Sequence, residues 1–159
     1  MNNLRQSVSG FTVIELMVVV LVLGILASMA LPSFRSLTQS QQAKNASFEL
    51  FTSLSLARSE AIKRNGSVTV TPLVAGDWGQ GWTITTTTPV AETIRSQAAL
   101  KGVSITATGA PANVVYARTG RASPSASMQI DVSTTPTANA RCIKIELSGM
   151  PHAAKGACT

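Results

Sequence analysis

Apolar residues follow two different periodicities along the chain, and the change between them lies near Gly66. A nearly unbroken apolar run extends from Phe11 to Leu31 and is interrupted by one charged residue, Glu15. At about 1.5 Å of helical rise per residue, this run reaches roughly 31 Å, close to the hydrocarbon thickness of a bilayer. We therefore predict a transmembrane helix over residues 11–32.

Beyond Pro32, apolar residues recur at steps of three and four, which is typical of one face of an α-helix. These residues are Ala43, Ala46, Leu50, Leu54, Ala57 and Ala61. The pair Asn65-Gly66 predicts a C-terminal stop. We expect one long helix from about Phe11 to Arg64, with an amphipathic continuation over 33–65 and a kink or local melting at Pro32.

After Gly66, apolar residues alternate with polar ones, which is typical of strands with one buried face. The alternating sets are Val68/Val70, Trp82/Ile84, Val103/Ile105/Ala107, Met128/Ile130/Val132 and Ile143/Ile145/Leu147, and Val114–Ala117 is a shorter apolar run. Turn signals stand at Gly76–Gly81, Thr119-Gly120-Arg121 and Thr134–Asn139. We predict six or seven short strands in a β domain over 66–159. The expected fold class is α+β, a long N-terminal α-helix packed on an antiparallel β-sheet or small β-sandwich.

The segment before the apolar run is short and polar, and it carries Arg5. An ordinary secretory signal is cleaved after its apolar region. Here the obvious processing point, Gly10–Phe11, precedes the run, so residues 1–10 read as a leader and the apolar segment would remain in the mature chain. Arg5 favours a cytoplasmic N-terminus, which places everything after Pro32 outside the cytoplasm.

The stretch Gly10-Phe11-Thr12-Val13-Ile14-Glu15-Leu16 resembles the class III signal of type IV pilins and type II secretion pseudopilins. This resemblance implies cleavage after Gly10 by a prepilin peptidase and N-methylation of Phe11. It also implies that Glu15 attracts the N-terminal amine of a neighbouring subunit during assembly. The physics agrees, because a carboxylate in an apolar environment needs a cationic partner. The alternative is a generic single-span anchor with a stray glutamate.

A second resemblance covers nearly the whole chain and points to the GspH/FimT family of minor pseudopilins and pilins. It is carried by Leu56–Arg64, Trp78…Gly81-Trp82, Gly120-Arg121 and the Cys142…Cys158 ending. The resemblance implies a bacterial inner-membrane protein that later enters a pilus or pseudopilus, with other pilins as partners. A priming or tip role follows from the family and not from the composition.

The two cysteines, Cys142 and Cys158, both lie in the part expected to be exported, where a disulfide is permitted. Such a bond would contribute about 3 kcal/mol on the chain-entropy model. Free thiols or a metal pair are the other interpretations, although no second pair of ligands is spaced to complete a metal site. We expect no metal and no cofactor.

The chain has a formal net charge of +6, which raises the question of nucleic acid. Some relatives of this family bind DNA through a Gly-Arg-x-Arg loop, but here the corresponding place reads Ser148-Gly149-Met150-Pro151-His152, without arginine. A weaker basic surface could still form from Arg118, Arg121, Arg141, Lys144 and Lys155. Trp78 and Trp82 could stack on bases, but we expect a hairpin with Trp82 in the core and Trp78 partly exposed.

Catalysis is not expected from this sequence. The one histidine has no sequence-local carboxylate pair, and there is no phosphate-binding glycine loop or Gly-x-Ser-x-Gly elbow. The function that the resemblance implies is assembly of a type IV pilus or type II secretion pseudopilus. Two alternatives remain, a DNA-binding minor pilin used in transformation and a pseudopilin that contacts type II secretion substrates.

Overall fold

The computed structural model describes residues 10–108, 112–132 and 139–158, with side chains at these positions except 29–33, 108, 131 and 132. The chain divides into two compact units, one ending at Leu37 and the other beginning at Thr38. Most of the predicted leader, and all of the predicted loop at Thr134–Asn139 except Asn139, fall outside the described residues. Within the described residues, no helix combines the length and the mean hydropathy that crossing a membrane requires.

The predicted long helix is present as α1, Val13–Lys63. It stays helical through Pro32, so the local melting expected there does not occur. In the second unit, the predicted apolar stripe is buried at all six of its positions. In the first unit, the large apolar side chains from Phe11 to Leu26 are between 47% and 81% exposed. The second half of α1 therefore finds its apolar partners within the second unit.

The helix ends as the sequence predicts, at Asn65-Gly66. Asn65 has a left-handed backbone with φ of 49°. Its N–H donates to the carbonyl of Ile62 at 3.2 Å, and the N–H of Gly66 donates to the carbonyl of Ala61 at 3.1 Å. These two bonds form a Schellman motif, which satisfies carbonyls that the helix end would otherwise leave unpaired.

Nine strands follow within the described residues. They are β1 (Val68–Val74), β2 (Asp77–Thr86), β3 (Glu92–Gln97), β4 (Val103–Thr108), β5 (Val114–Tyr116), β6 (Ala122–Ser123), β7 (Ala126–Val132), β8 (Arg141–Ile145) and β9 (Pro151–Lys155). Sheet 1 has the order β3-β2-β1-β5-β6, and sheet 2 has the order β4-β7-β8-β9. All strand neighbours are antiparallel. The α+β fold class is therefore confirmed.

One hydrophobic core joins the helix stripe to both sheets. The alternating residues predicted for β1 and β2 are buried, as are Ile105, Met128, Ile130, Ile143 and Ile145. Leu147 departs from the pattern because it lies in the turn after β8 and is 55% exposed. The core thus fixes the second half of α1 against the sheets and leaves the rest of its surface to other contacts.

The predicted turn at Gly76–Gly81 is wrong in extent. Only Ala75 and Gly76 connect β1 to β2, where Val74 pairs with Asp77, and Gly79 and Gly81 lie inside β2. A Cβ atom on Gly81 would come within 2.2 Å of the Gln97 carbonyl oxygen. Glycine is therefore needed there for a close backbone approach, and not for a turn.

The prediction that Trp78 is partly exposed is wrong, because Trp78 is fully buried together with Trp82. Both rings belong to the core cluster between the helix and the sheets. Stacking on nucleic-acid bases requires an exposed ring face. The stacking interpretation of these two residues is therefore excluded for this fold.

Candidate functional site

The expected processing junction lies just before α1. Gly10 and Phe11 are both exposed and precede the first helical residue, Val13. A Cβ atom on Gly10 would meet nothing within 4 Å. Cleavage and methylation at this junction stay predictions, and the open backbone there is what a peptidase would need.

Glu15 belongs to a capping box with Thr12. The Glu15 carboxylate oxygen Oε2 accepts from the Thr12 backbone N–H at 2.9 Å and from the Thr12 hydroxyl at 2.9 Å. In return, Thr12 Oγ1 accepts from the Glu15 backbone N–H at 3.3 Å. This reciprocal arrangement satisfies donors that the first turn of a helix leaves unpaired. This capping box was not predicted from the sequence, although Thr12-Val13-Ile14-Glu15 is the Thr-x-x-Glu signature of such a box.

The capping box leaves one oxygen of Glu15 available. Both bonds from Thr12 go to Oε2, and within the described part of the chain Oε1 accepts no hydrogen bond. The carboxylate lies in an open cleft of about 370 Å³ whose other lining residues are apolar: Phe11, Ile14, Val18 and Val19. A carboxylate held in this way can accept a cation from outside the chain without losing its local bonds.

Arg58 on α1 holds a contact that the sequence did not reveal. Its Nε donates to the carbonyl oxygen of Gly120, in the turn between β5 and β6, at 3.1 Å. Gly149, in the loop before β9, approaches the same oxygen so closely that an added Cβ would lie 1.8 Å from it. Arg58 and Gly120 are 62 positions apart in the sequence, so no local pattern could have shown this bond.

The five candidate DNA-binding residues fall into two places. Arg141 on β8 is the direct cross-strand partner of Lys155 on β9, and Lys144 lies further along β8 opposite His152. Arg118 and Arg121 are exposed on the β5–β6 turn in sheet 1. The structure therefore pairs Arg141 with Lys155, places Lys144 three residues further along β8, and places Arg118 and Arg121 on a turn of the other sheet. Their role in DNA binding stays a prediction.

Cys142 and Cys158 form a disulfide, with their Cα atoms 5.0 Å apart. Two further bonds hold the segment after β9 in place. The N–H of Gly156 donates to the Ala140 carbonyl at 2.8 Å, and the N–H of Cys158 donates to the side-chain oxygen of Gln129 at 3.3 Å. The disulfide therefore closes a loop that contains β9. Among the described residues, no cluster of three or more His, Cys, Asp or Glu side chains could hold a metal ion.

Comparison with family models gives two matches. Residues 46–149 match the family described as type II transport protein GspH. Residues 5–31 match the prokaryotic N-terminal methylation motif. The two matches together cover the leader junction, the apolar run, the buried helix stripe from Ala46 onward and most of both sheets. No curated protein matches the chain significantly.

Solved structures share the fold. The type IV minor pilin FimU of Pseudomonas aeruginosa aligns with a TM-score of 0.65 at 21% identity, over 74% of this chain and 92% of FimU. The minor pseudopilin EpsH from the type II secretion system of Vibrio cholerae aligns with a TM-score of 0.59 at 11% identity, over 76% of this chain and 98% of EpsH. At these identities, the likeness concerns the fold alone.

Proposed function

The chain belongs to the GspH family of type II transport proteins, and we propose that it is a minor pilin or pseudopilin subunit. In this role it helps to assemble a type IV pilus or a type II secretion pseudopilus, within a priming or tip complex. The observation that carries the proposal is the methylation motif over residues 5–31, placed directly before a GspH domain in one chain. The fold shared with a minor pilin and a minor pseudopilin supports it.

Processing is the first step of this proposal. A prepilin peptidase cleaves between Gly10 and Phe11, and the new N-terminal residue, Phe11, is methylated. The apolar run to Leu31 then remains on the mature chain and holds it in the inner membrane, with the N-terminus cytoplasmic and the β domain periplasmic. The run as read from the sequence, including residues whose side chains the structure does not describe, supports this membrane step.

Assembly is the second step, and it depends on surface that this chain cannot cover by itself. The large apolar side chains between Phe11 and Leu26 are exposed, and contiguous apolar surface of this kind marks a contact with membrane or protein. In a filament, neighbouring helices would bury it. Glu15 would then be surrounded by apolar side chains. Its unused oxygen Oε1 would accept a hydrogen bond from the N-terminal ammonium group of an adjacent subunit. This ion pair sets the axial register, because an unpaired carboxylate in that position is costly.

The proposal is tested by the mass of the N-terminal peptide together with the location of the protein. In cells with an active prepilin peptidase, we expect a peptide that begins at Phe11 and carries one added methyl group, in both membrane and filament fractions. In cells without that peptidase, the peptide should begin at Met1 and the filament fraction should lack the protein. An intact leader in peptidase-containing cells would indicate a simple membrane-anchored domain and would overturn the filament mechanism.

A further inference from the structure

A groove runs between α1 and strand β9. One part, of about 450 Å³, lies between Phe51–Ile62 on the helix and Met150–Ala153 on the sheet. A second part, of about 250 Å³, continues toward Lys44 and Arg141 and shares Phe51 and Ala153 with the first. The groove therefore follows the helix from residue 44 to residue 62, a length of roughly 27 Å at 1.5 Å per residue. Because Met150 lies at one end and Arg141 at the other, β9 runs antiparallel to α1 along it.

The walls of the groove are apolar, and one of them is an unpaired strand edge. Phe51, Ile62 and Met150 are 36%, 49% and 53% exposed. Among the described residues, strand β9 is the last strand of sheet 2 and pairs only with β8. Pro151, His152 and Ala153 all line the groove, although neighbouring side chains of a strand point to opposite faces. The edge of the strand itself, and not only one face, therefore borders the groove.

The charges around the groove have one sign. Its charged lining residues are Lys44, Arg58 and Arg141, and no lining residue is a carboxylate. None of these three cations forms an ion pair within the described part of the chain. Arg141 also stands directly opposite Lys155 across β8 and β9, and like charges in that relation destabilise a sheet. A carboxylate that bound here would relieve this repulsion.

We propose that this groove binds an extended, apolar segment that carries a carboxylate and belongs to a different subunit of the filament. The segment adds to the edge of β9 as a further strand. Its apolar side chains contact Phe51, Ile62 and Met150, and its carboxylate pairs with Arg141 and Lys44. This inference rests on the proposed function, because it takes the partner from the same filament.

Two other occupants fit the groove less well. A second copy of this chain would bring another net charge of +6 to a cationic surface, and like charges across an interface oppose association. Nucleic acid would satisfy the cations but would leave the apolar walls uncovered, because phosphate contacts dominate its binding to basic surfaces. Both occupants are outcomes of the test.

The test places a photo-crosslinking phenylalanine analogue in the full-length chain, in cells that assemble the filament. One version carries it at Ser59, which lines the groove. The control carries it at Ser96, an exposed serine on β3, which is the edge strand of sheet 1. We expect the Ser59 version to yield a crosslinked peptide from another pilin-type subunit that contains Asp or Glu, at least fivefold above the Ser96 version.

Charge variants establish whether the carboxylate matters. Lys44→Glu, on the exposed helix surface, and Arg141→Glu should each lower the Ser59 yield at least fivefold, whereas Arg141→Lys should leave it within twofold. Crosslinks to nucleic acid, to a second copy or to a peptide without a carboxylate would overturn the proposal. The proposal would also be overturned if the crosslinking yield at Ser59 did not exceed the yield at Ser96, or if neither charge reversal changed it. The amount of protein in the filament fraction is measured in parallel, so that absence from filaments, which refutes the proposed function, is distinguished from presence without the crosslink.

Discussion

Arg58 donates a hydrogen bond from Nε to the carbonyl oxygen of Gly120, and this bond joins the long helix to the turn between β5 and β6. The same oxygen is in contact with Gly149, in the loop that leads into β9. One carbonyl group therefore links the helix, sheet 1 and sheet 2. The wall of the proposed docking groove depends on this junction.

Replacing Arg58 with alanine should destabilise the β domain. A hydrogen bond to a charged group contributes about 1.5–3 kcal/mol, so we expect a loss of that size in the free energy of unfolding of the purified full-length chain. Ser59→Ala is the control, because in the described part of the chain the Ser59 side chain bonds only to the nearby Leu56 carbonyl. If Arg58→Ala lowered the free energy of unfolding no more than Ser59→Ala did, the bond to Gly120 would not contribute to stability.

Gly149→Ala should lower the free energy of unfolding more than Gly76→Ala does. Both glycines have left-handed backbones, with φ of 79° and 80°, so each alanine carries a backbone penalty of about 1–2 kcal/mol. A Cβ on Gly76 meets nothing within 4 Å, whereas one on Gly149 overlaps the Gly120 carbonyl, and overpacking adds about 1–3 kcal/mol. Urea unfolding of the two variants measures the difference, and equal losses would contradict the close packing.

Glu15→Ala should leave cleavage at Gly10–Phe11 largely intact and reduce incorporation into filaments at least about tenfold, because the ammonium of the neighbouring subunit would lose its partner. Thr12→Val is the matched variant. It removes the capping hydroxyl, at a cost of about 1 kcal/mol to the helix end, but keeps the carboxylate, so incorporation should fall much less. Quantitative immunoblots of sheared filaments measure both. Normal incorporation of Glu15→Ala would exclude the register role.

Cys142→Ser with Cys158→Ser should lower the free energy of unfolding by about 3 kcal/mol, because the unfolded chain gains the freedom that the closed loop removes. Treating the unmodified protein with a reductant should give the same loss. The double variant should not respond to the reductant, which separates the effect of the disulfide from the effect of the serines. A reductant that leaves the unmodified protein unchanged would disagree with the bond seen here.

Stability should decrease in acid through Glu60. The hydrogen bond from the Arg64 side chain, supported by the charge of Lys63, holds the pKa of the Glu60 carboxyl below its ordinary value of 4.5. A lowered pKa means that this stabilisation is complete above about 4.5 and is lost as the pH falls through the pKa of the folded state. Unfolding midpoints from pH 7 to pH 3 should therefore fall less steeply for Glu60→Gln than for the unmodified protein. Glu146→Gln, at a residue without an ion pair in the described ranges, should follow the unmodified curve.

The sequence predicted those elements whose apolar residues meet the core on a regular period. The helix stripe from Ala43 to Ala61 is buried as expected, because a step of 3.6 residues keeps one face inward over any length. The helix end at Asn65 was also predictable, since few residues adopt a left-handed backbone so readily. These features depend on local spacing alone.

The strands that the sequence missed, β3, β6 and β9, all stand at the edge of a sheet. An edge strand takes its structure from one neighbour and buries less of its surface, so it needs no regular alternation of apolar residues. Most of β9, for example, is exposed apart from Pro151. The candidate groove was hidden for the same reason, because its walls come from a strand without a pattern and a helix more than 80 residues earlier in the sequence.

The disulfide also determines how this subunit would carry a pulling force. Within the ranges that the structure describes, strand β9 is bonded to β8 on one side only, and a strand attached in this way can be separated one hydrogen bond at a time. Because Cys158 is joined covalently to Cys142 on β8, tension that reaches Cys158 passes directly to β8 and bypasses the hydrogen bonds of β9. A mechanical load applied there would leave β9, and any strand added to its edge, in place until sheet 2 itself gave way.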